Sequence, residues 1–435
     1  MMSQAPPGRT ASRFRAGSAT LGACVAAESP GASRRPLDRA FHRQLAVYSP
    51  VSWAGLARAA WHVLGVGKDP RPAVERLLRE EYDANRVVLC ASGTGALQLG
   101  LHLAKRAVGD SAMVALPGFT CYDVGTAAVG ANARIVLYDL DPATLSPDID
   151  SLERCLERGA RVVVVSPLYG LPIDWEALEE RAARYGALLI EDSAQGHGAS
   201  WRGRRLGSLG RISVLSFGRG KGWSGGSGGA LLVRGDVVTT CEPGRSLMFD
   251  EAAVLVRSLV QWSLGRPGLY GIPAAIPWLG LGETRYREPR PPARMTRTAA
   301  ALLTAHHEAS IREAAIRRRN AAALLEAIPA QPGIHGYRSQ PDADPGYLRL
   351  PLRLVRGMAG FAHPREAVLS GIAPSYPSTL SALPAVRRRL IEEGDGAGLP
   401  GAKELTRTLV TLPTHSWIGE AERERLLRLL NDYDR

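Results

Sequence analysis

The chain has 435 residues, 45% of them hydrophobic and 22% charged, with 47 glycines and 30 prolines, which excludes disordered, collagen-like and disulfide-scaffold proteins. A chain of this length outgrows a single core, so one large domain and a smaller one are expected. The net charge of +12 rests almost wholly on arginine: among 54 basic residues only Lys68, Lys105, Lys221 and Lys403 are lysines, so any essential amine is one of these.

The arginines are scattered, with short runs at Arg317 to Arg319 and Arg387 to Arg389 and no interleaved aromatic residues. They read as solvated helix faces rather than a nucleic-acid groove. A basic surface favours anionic small substrates such as nucleotide diphosphates. The five cysteines are widely spaced and form no Cys-x-x-Cys pair, which predicts a reducing, cytoplasmic setting and no metal site.

In chain order, residues 1–44 are expected to be a disordered tail, because Arg9, Arg13, Arg15, Arg34, Arg35 and Arg39 accompany few acids and the apolar run Leu21 to Ala27 is too short for a secretory signal. Residues 45–295 form the large domain. Within it, apolar strand-like runs begin near Arg86, Met113, Arg134, Arg161, Ala187, Ile212 and Gly229, most of them separated by amphipathic helical stretches. Runs such as Arg161 to Ser166 lack polar alternation, so both faces of the sheet should be covered. The expected fold is α/β, a mainly parallel seven-stranded sheet sandwiched by helices.

Residues 252–282 are apolar, with Arg257 and Arg266 as their only charges. Pro267, Pro273 and Pro277 break any transmembrane helix. Three uses stay open for this segment: a buried piece of a dimer interface around Trp262, Tyr270 and Trp278, a lid over the substrate, or a peripheral membrane contact. Residues 296–435 form the smaller C-terminal α+β domain, entered by a helix over Arg297 to Ala327. Its strands are expected at Tyr347 to Val355 and Thr408 to Leu412, and its last helix at Gly419 to Tyr433.

Ligands of open parallel sheets bind beyond the carboxyl ends of the strands. Three such ends carry chemistry: Ser92-Gly-Thr-Gly-Ala-Leu97 leading into a helix, Glu191-Asp-Ser-Ala-Gln195, and Ser216-Phe-Gly-Arg-Gly-Lys-Gly222. Taken singly, the first reads more readily as a tight connection and Asp192 as a helix cap, and Lys221 could be an exposed loop residue. A Walker A loop fails, with Leu215 and Gly222 at its required positions, and a dinucleotide fingerprint puts Gln98 where its third glycine belongs. Together the three ends fit pyridoxal 5′-phosphate, which needs a phosphate cradle, a carboxylate at the pyridine nitrogen and a lysine amine.

These residues resemble the DegT/DnrJ/StrS sugar aminotransferases, within the aspartate-aminotransferase-like fold type I. The resemblance rests on four motifs in order: Ser92 to Leu97, Pro117-Gly-Phe-Thr120, Glu191-Asp-Ser-Ala-Gln-Gly-His-Gly198, and Ser216-Phe-Gly-Arg-Gly-Lys221 before the glycines of 225–229. It implies that Lys221 is the catalytic lysine, Asp192 the partner of the pyridine nitrogen and Gln195 a ring contact. Gly93, Thr94 and Ser216 would hold the phosphate. Cys121 stands where the family places an aromatic residue against the cofactor ring, with Tyr122 beside it. Pro292 stands where many members offer an asparagine across the dimer, and Ser227 replaces an acid. Tyr169 and His415 fall in further family-like stretches and read equally as packing or substrate residues; Arg219 reads as an anion contact or a solvated side chain.

The resemblance implies a homodimer that transfers an amino group from glutamate or glutamine to the keto group of a nucleotide-linked sugar, for a surface polysaccharide or a glycosylated metabolite. The alternatives are another pyridoxal phosphate reaction on a non-sugar substrate and a non-catalytic cofactor-binding scaffold. Lys221 argues against sugar dehydration, whose family members carry histidine there.

Overall fold

The computed structural model describes residues 43–235, 242–246, 248–274, 284–328, 330–391 and 398–434. Nearly all of the expected tail lies outside them. Helices α1 (Trp53–Val63) and α2 (Arg71–Glu81) precede the sheet. There follow β1 (Arg86–Cys90), α3 (Gly93–Val108), β2 (Met113–Pro117), α4 (Tyr122–Gly130), β3 (Arg134–Tyr138), α5 (Ile149–Glu157), β4 (Ala160–Val165), α6 (Trp175–Arg184) and β5 (Leu188–Asp192). A hairpin, β6 (Ser200–Trp201) and β7 (Arg204–Arg205), leads to β8 (Ile212–Ser216), and a glycine-rich loop joins β8 to β9 (Gly229–Val233).

The seven long strands form one sheet in the order β1-β9-β8-β5-β4-β2-β3. It is parallel from β3 to β8, and β9 runs antiparallel to both neighbours. Each of the seven strands expected in this sheet begins within one residue of its anticipated start. In the central strand β4, successive side chains leave opposite faces: Val162 and Val164 pack into the core beneath α3, whereas Val163 and Val165 pack with Trp175 and Leu178 of α6. All four valines are inaccessible to solvent, which is why the strand carries no polar alternation.

The apolar segment forms α7 (Met248–Leu264) and α8 (Pro267–Ala274). Helix α7 lies against α1, where Trp262 packs on a second core cluster and meets the Trp53 ring at 5.4 Å. Residues 275–283, Trp278 among them, lie outside the described residues. No helix among the described residues is long and apolar enough to cross a membrane.

The 31-residue helix α9 (Arg297–Ala327) is capped by Thr296, whose side chain accepts from the Ala299 N–H. It packs on α1, α2 and α7 and on the last helix of the chain. Beyond it come β10 (Ile334–Gly336), β11 (Ala343–Asp344), β12 (Leu350–Leu354), α10 (Pro364–Leu369), β13 (Ala373–Pro374), α11 (Pro384–Arg387), α12 (Pro400–Thr408), β14 (Leu409–Leu412) and α13 (Glu420–Asn431). Strands β10-β12-β14-β13 form a small antiparallel sheet, and β11 joins the β6–β7 hairpin. The strand expected from Tyr347 begins three residues later, because Tyr347 sits at φ +39 in the left-handed region and cannot continue a ladder. One core cluster runs from the α3 face of the main sheet into the small sheet.

Candidate active site

Strand ends β1, β2, β4, β5 and β8 open on one cleft whose lining includes Gly93, Thr94, Cys121, Asp192, Gln195, Ser216 and Lys221. All seven principal residues expected from the sequence meet there. The Ser92 hydroxyl caps α3 by accepting from the Gly95 N–H at 3.0 Å, and the helix start presents Gly93 and Thr94 to the cleft. A helix N-terminus of this kind favours an anion. Gly93 is required by space: a Cβ there would stand 2.7 Å from the Ser216 Cβ. The Thr94 hydroxyl has no hydrogen-bond partner among the described residues, so it is available to a ligand.

Neighbours on β5 divide the labour by alternation. Glu191 turns away from the cleft and is saturated by the Leu209 and Gly210 N–H groups and the Ser193 and Ser213 hydroxyls. Asp192 turns into it, accepting from the Ser166 hydroxyl at 3.1 Å and the Ala194 N–H at 3.2 Å. Burial raises the Asp192 carboxyl above its ordinary value, against the pull of Lys221. Its remaining lone pairs suit a protonated ring nitrogen, and the cradle at Gly93, Thr94 and Ser216 suits a phosphate. The lining therefore fits pyridoxal phosphate at both ends.

Lys221 reaches the cleft from the loop after β8. Its carbonyl accepts from the Ser49 hydroxyl at 2.7 Å, its N–H donates to the Gly218 carbonyl at 3.3 Å, and Gly220 turns the loop at φ +74. Gln195 is clamped at both ends of its amide: Oε1 accepts from the Tyr169 N–H and Nε2 donates to the Tyr376 hydroxyl, each at 2.7 Å. Burial pushes the Cys121 thiol up to about 12, with Asp123 adding to the effect, so it stays protonated. Tyr122 is buried with its hydroxyl 2.6 Å from the Ser378 hydroxyl and does not line the cleft. Pro292 lies over the first turn of α3, where a Gly95 Cβ would approach it to 3.6 Å.

Three further candidates lie outside the lining. Arg219 is solvent-exposed. Tyr169 is buried at φ +57, with its hydroxyl bonded to that of Ser375. His415 is buried against the Leu45 carbonyl at 2.9 Å, and desolvation lowers its pKa to about 4. Sequence reasoning missed Ser166, Asp123 and Tyr376. Ser166 is legible afterwards as the residue just beyond a parallel strand; Tyr376 arrives from β13, with no local signal.

Residues 62–242 match the model of the DegT/DnrJ/EryC1/StrS aminotransferase family. The chain is 30% identical over 387 residues to the L-glutamine:2-deoxy-scyllo-inosose aminotransferase of Streptomyces lividus, covering 84% of this chain and 86% of that one. Its 34% identity to the protein of the same name from Streptomyces kanamyceticus covers 42% of this chain and 43% of the relative's length. The crystal structure of AtS13 from Actinomadura melliaura superposes with a TM-score of 0.68 at 25% identity, over 89% of this chain and 98% of that one.

Proposed function

The chain belongs to the DegT/DnrJ/EryC1/StrS aminotransferase family, which is pyridoxal phosphate-dependent, and from that premise we propose that it moves the amino group of L-glutamine or L-glutamate to the keto group of a polyhydroxylated ring. The observation that carries this is the convergence of Lys221, Asp192 and the α3 N-terminus on one cleft.

The cofactor supplies an electron sink for the donor's Cα and a carrier for its nitrogen. Lys221 would hold the cofactor through Nζ, and its amine would move the proton at the donor's Cα. Asp192 would keep the ring nitrogen protonated by charge pairing, which a buried carboxylate does more strongly than an exposed one. Gly93, Thr94 and Ser216 would hold the phosphate, and Gln195, held by Tyr169 and Tyr376, would border the ring. Cys121 offers a small neutral face where a stacking ring would fill the space.

Of the charged groups that line the cleft, Lys221 and Asp192 are assigned above to the cofactor, and the carboxylate of Asp123 is the one left to the acceptor side. An acidic lining supports an uncharged cyclic ketone, in keeping with the inosose named for the Streptomyces lividus relative. A nucleotide-linked keto-sugar is the second acceptor, favoured by the net charge of +12. We place the reaction in the cytoplasm, in the synthesis of a glycosylated metabolite or a polysaccharide. The chain acts there as a homodimer closed over exposed Trp53, Val256, Val260 and Phe249 of α1 and α7.

The test is incubation with cofactor, L-glutamine carrying ¹⁵N at the α-amine, and a panel of cyclitol ketones and nucleotide keto-sugars. A labelled amine in one product supports the proposal. Donor deamination without amination of any ketone contradicts it.

A further inference from the structure

A second cavity, of about 170 Å³, opens between the segment that precedes α1, the turn from α7 to α8 and the stretch between β14 and α13. It shares no lining residue with the cleft. Its aromatic walls are Tyr48, Trp262 and Trp417, the rings of Tyr48 and Trp417 meeting edge to face at 5.9 Å. Gln261 also lines it, with an Oε1 that is buried and has no hydrogen-bond partner, as does Arg266, whose guanidinium lies 5.5 Å from the Trp262 ring centroid. A further wall residue, Ser49, donates its hydroxyl to the carbonyl of Lys221 at 2.7 Å.

These walls select the chemistry of an occupant. A buried acceptor left without a donor costs about 1–3 kcal/mol, so a molecule that brings a donor to Gln261 is favoured. A carboxylate or phosphate brings none and meets the lone pairs of that oxygen. An ammonium brings one, but it meets the Arg266 cation and, among the described residues, no lining carboxylate. A polyhydroxylated six-membered ring suits every wall: its hydroxyls donate to Gln261 and accept from Arg266, and its C–H faces lie on the aromatic side chains. The volume is below the roughly 300 Å³ at which pockets for drug-sized molecules begin, so it holds one ring and excludes a nucleotide-linked sugar.

We propose that this cavity binds a single polyhydroxylated ring, a free cyclitol or monosaccharide, and that its occupation is transmitted to Lys221 through Ser49. The backbone of Lys221 hangs on a residue of the cavity wall, with Tyr48 and Val51 in the same wall. A ring that presses on this segment shifts the Ser49 hydrogen bond and with it the loop from which Lys221 reaches the cleft. The transmitted effect rests on the role given to Lys221 above.

The experiment titrates the holoenzyme with myo-inositol and, separately, with D-glucose, reading binding by calorimetry and the state of Lys221 by the absorbance of the bound cofactor. At least one of the two should bind and change that absorbance, and the tighter binder assigns the ring as a cyclitol or a monosaccharide. Trp417 is 40% exposed and can be truncated. Trp417→Ala and Gln261→Leu should each weaken binding roughly 10-fold, whereas Asp123→Asn, a change in the cleft, should leave it as in the parent. Ser49→Ala should keep the binding and lose the absorbance change. If Trp417→Ala does not fold, Gln261→Leu carries the same comparison. Failure of both rings to bind, binding indifferent to Trp417 and Gln261, binding lost in Asp123→Asn, or binding that leaves the cofactor absorbance unchanged overturns the proposal. Binding that needs Trp417 and Gln261 in a protein whose cofactor is not held on Lys221 leaves the ring site standing and refutes the function proposed above instead.

Discussion

The Ser49 hydroxyl donates to the carbonyl of Lys221 at 2.7 Å, fastening the segment that precedes α1 to the loop that delivers the essential amine. Neither residue takes part in the sheet's own hydrogen-bond ladder, so this contact is a principal restraint on the lysine's backbone. Ser49→Ala should cost about 1 kcal/mol of stability. It should also lower the rate of the donor half-reaction more than it weakens cofactor binding. Thermal unfolding and single-turnover absorbance measure the two effects separately.

Asp192 makes the site less stable in order to make it reactive. Burial raises its pKa, so between the ordinary carboxylate value and that raised value the folded state binds more protons than the unfolded one, and stability falls as pH rises. Without cofactor, Asp192→Asn should therefore be more stable than the parent at pH 8. The advantage should vanish in acid, below the unfolded carboxylate pKa. Turnover of the loaded variant should drop by roughly 100-fold or more. Denaturant titrations across pH test the first statement and half-reaction kinetics the second.

His415 has the opposite sign. Its pKa is lowered to about 4 by burial, so between the unfolded value near 6.5 and about 4 the unfolded state takes up the proton and stability is lost as pH falls. The full effect is on the order of 3 kcal/mol. His415→Gln, which keeps a donor for the Leu45 carbonyl, should flatten the stability profile across that window and leave the KM for donor unchanged. A parallel change in donor KM would return His415 to the substrate site.

For the homodimer, Trp262 is a poor probe, since it packs on a core cluster and on Trp53, with the Arg266 guanidinium 5.5 Å from its ring centroid. Val260, on the same helix, is 47% exposed. Val260→Glu should shift the mass seen by light scattering toward the monomer without lowering the melting temperature of the dilute protein. Activity should fall in step with the dimer fraction.

The main sheet was legible because β4 and its neighbours are buried on both faces, which writes unbroken Val and Leu runs into the chain, and because the chemistry sits at their carboxyl ends. Lys221, Asp192 and Gly93 were found on that rule, and Ser166 follows from it. Tyr376 obeys no such rule. It reaches Gln195 through the pairing of β13 with β14, a long-range register that no local pattern announces. Tyr122 beside Cys121 is turned away by its bond to Ser378, a partner 256 residues distant. The split of Glu191 from Asp192 is strand alternation, but which of the two faces the cleft depends on the donors around Gly207 to Ser213.

The central claim is that Lys221 is the amine on which the cofactor is held and from which the amino donor displaces it. Borohydride reduction of the holoenzyme followed by peptide mapping tests it most directly. The cofactor mass should appear on the peptide containing Lys221, and prior incubation with L-glutamine in the absence of any ketone should reduce that labelling. Cofactor fixed instead to Lys68, Lys105 or Lys403, or labelling of Lys221 that L-glutamine and L-glutamate both leave untouched, would contradict the account.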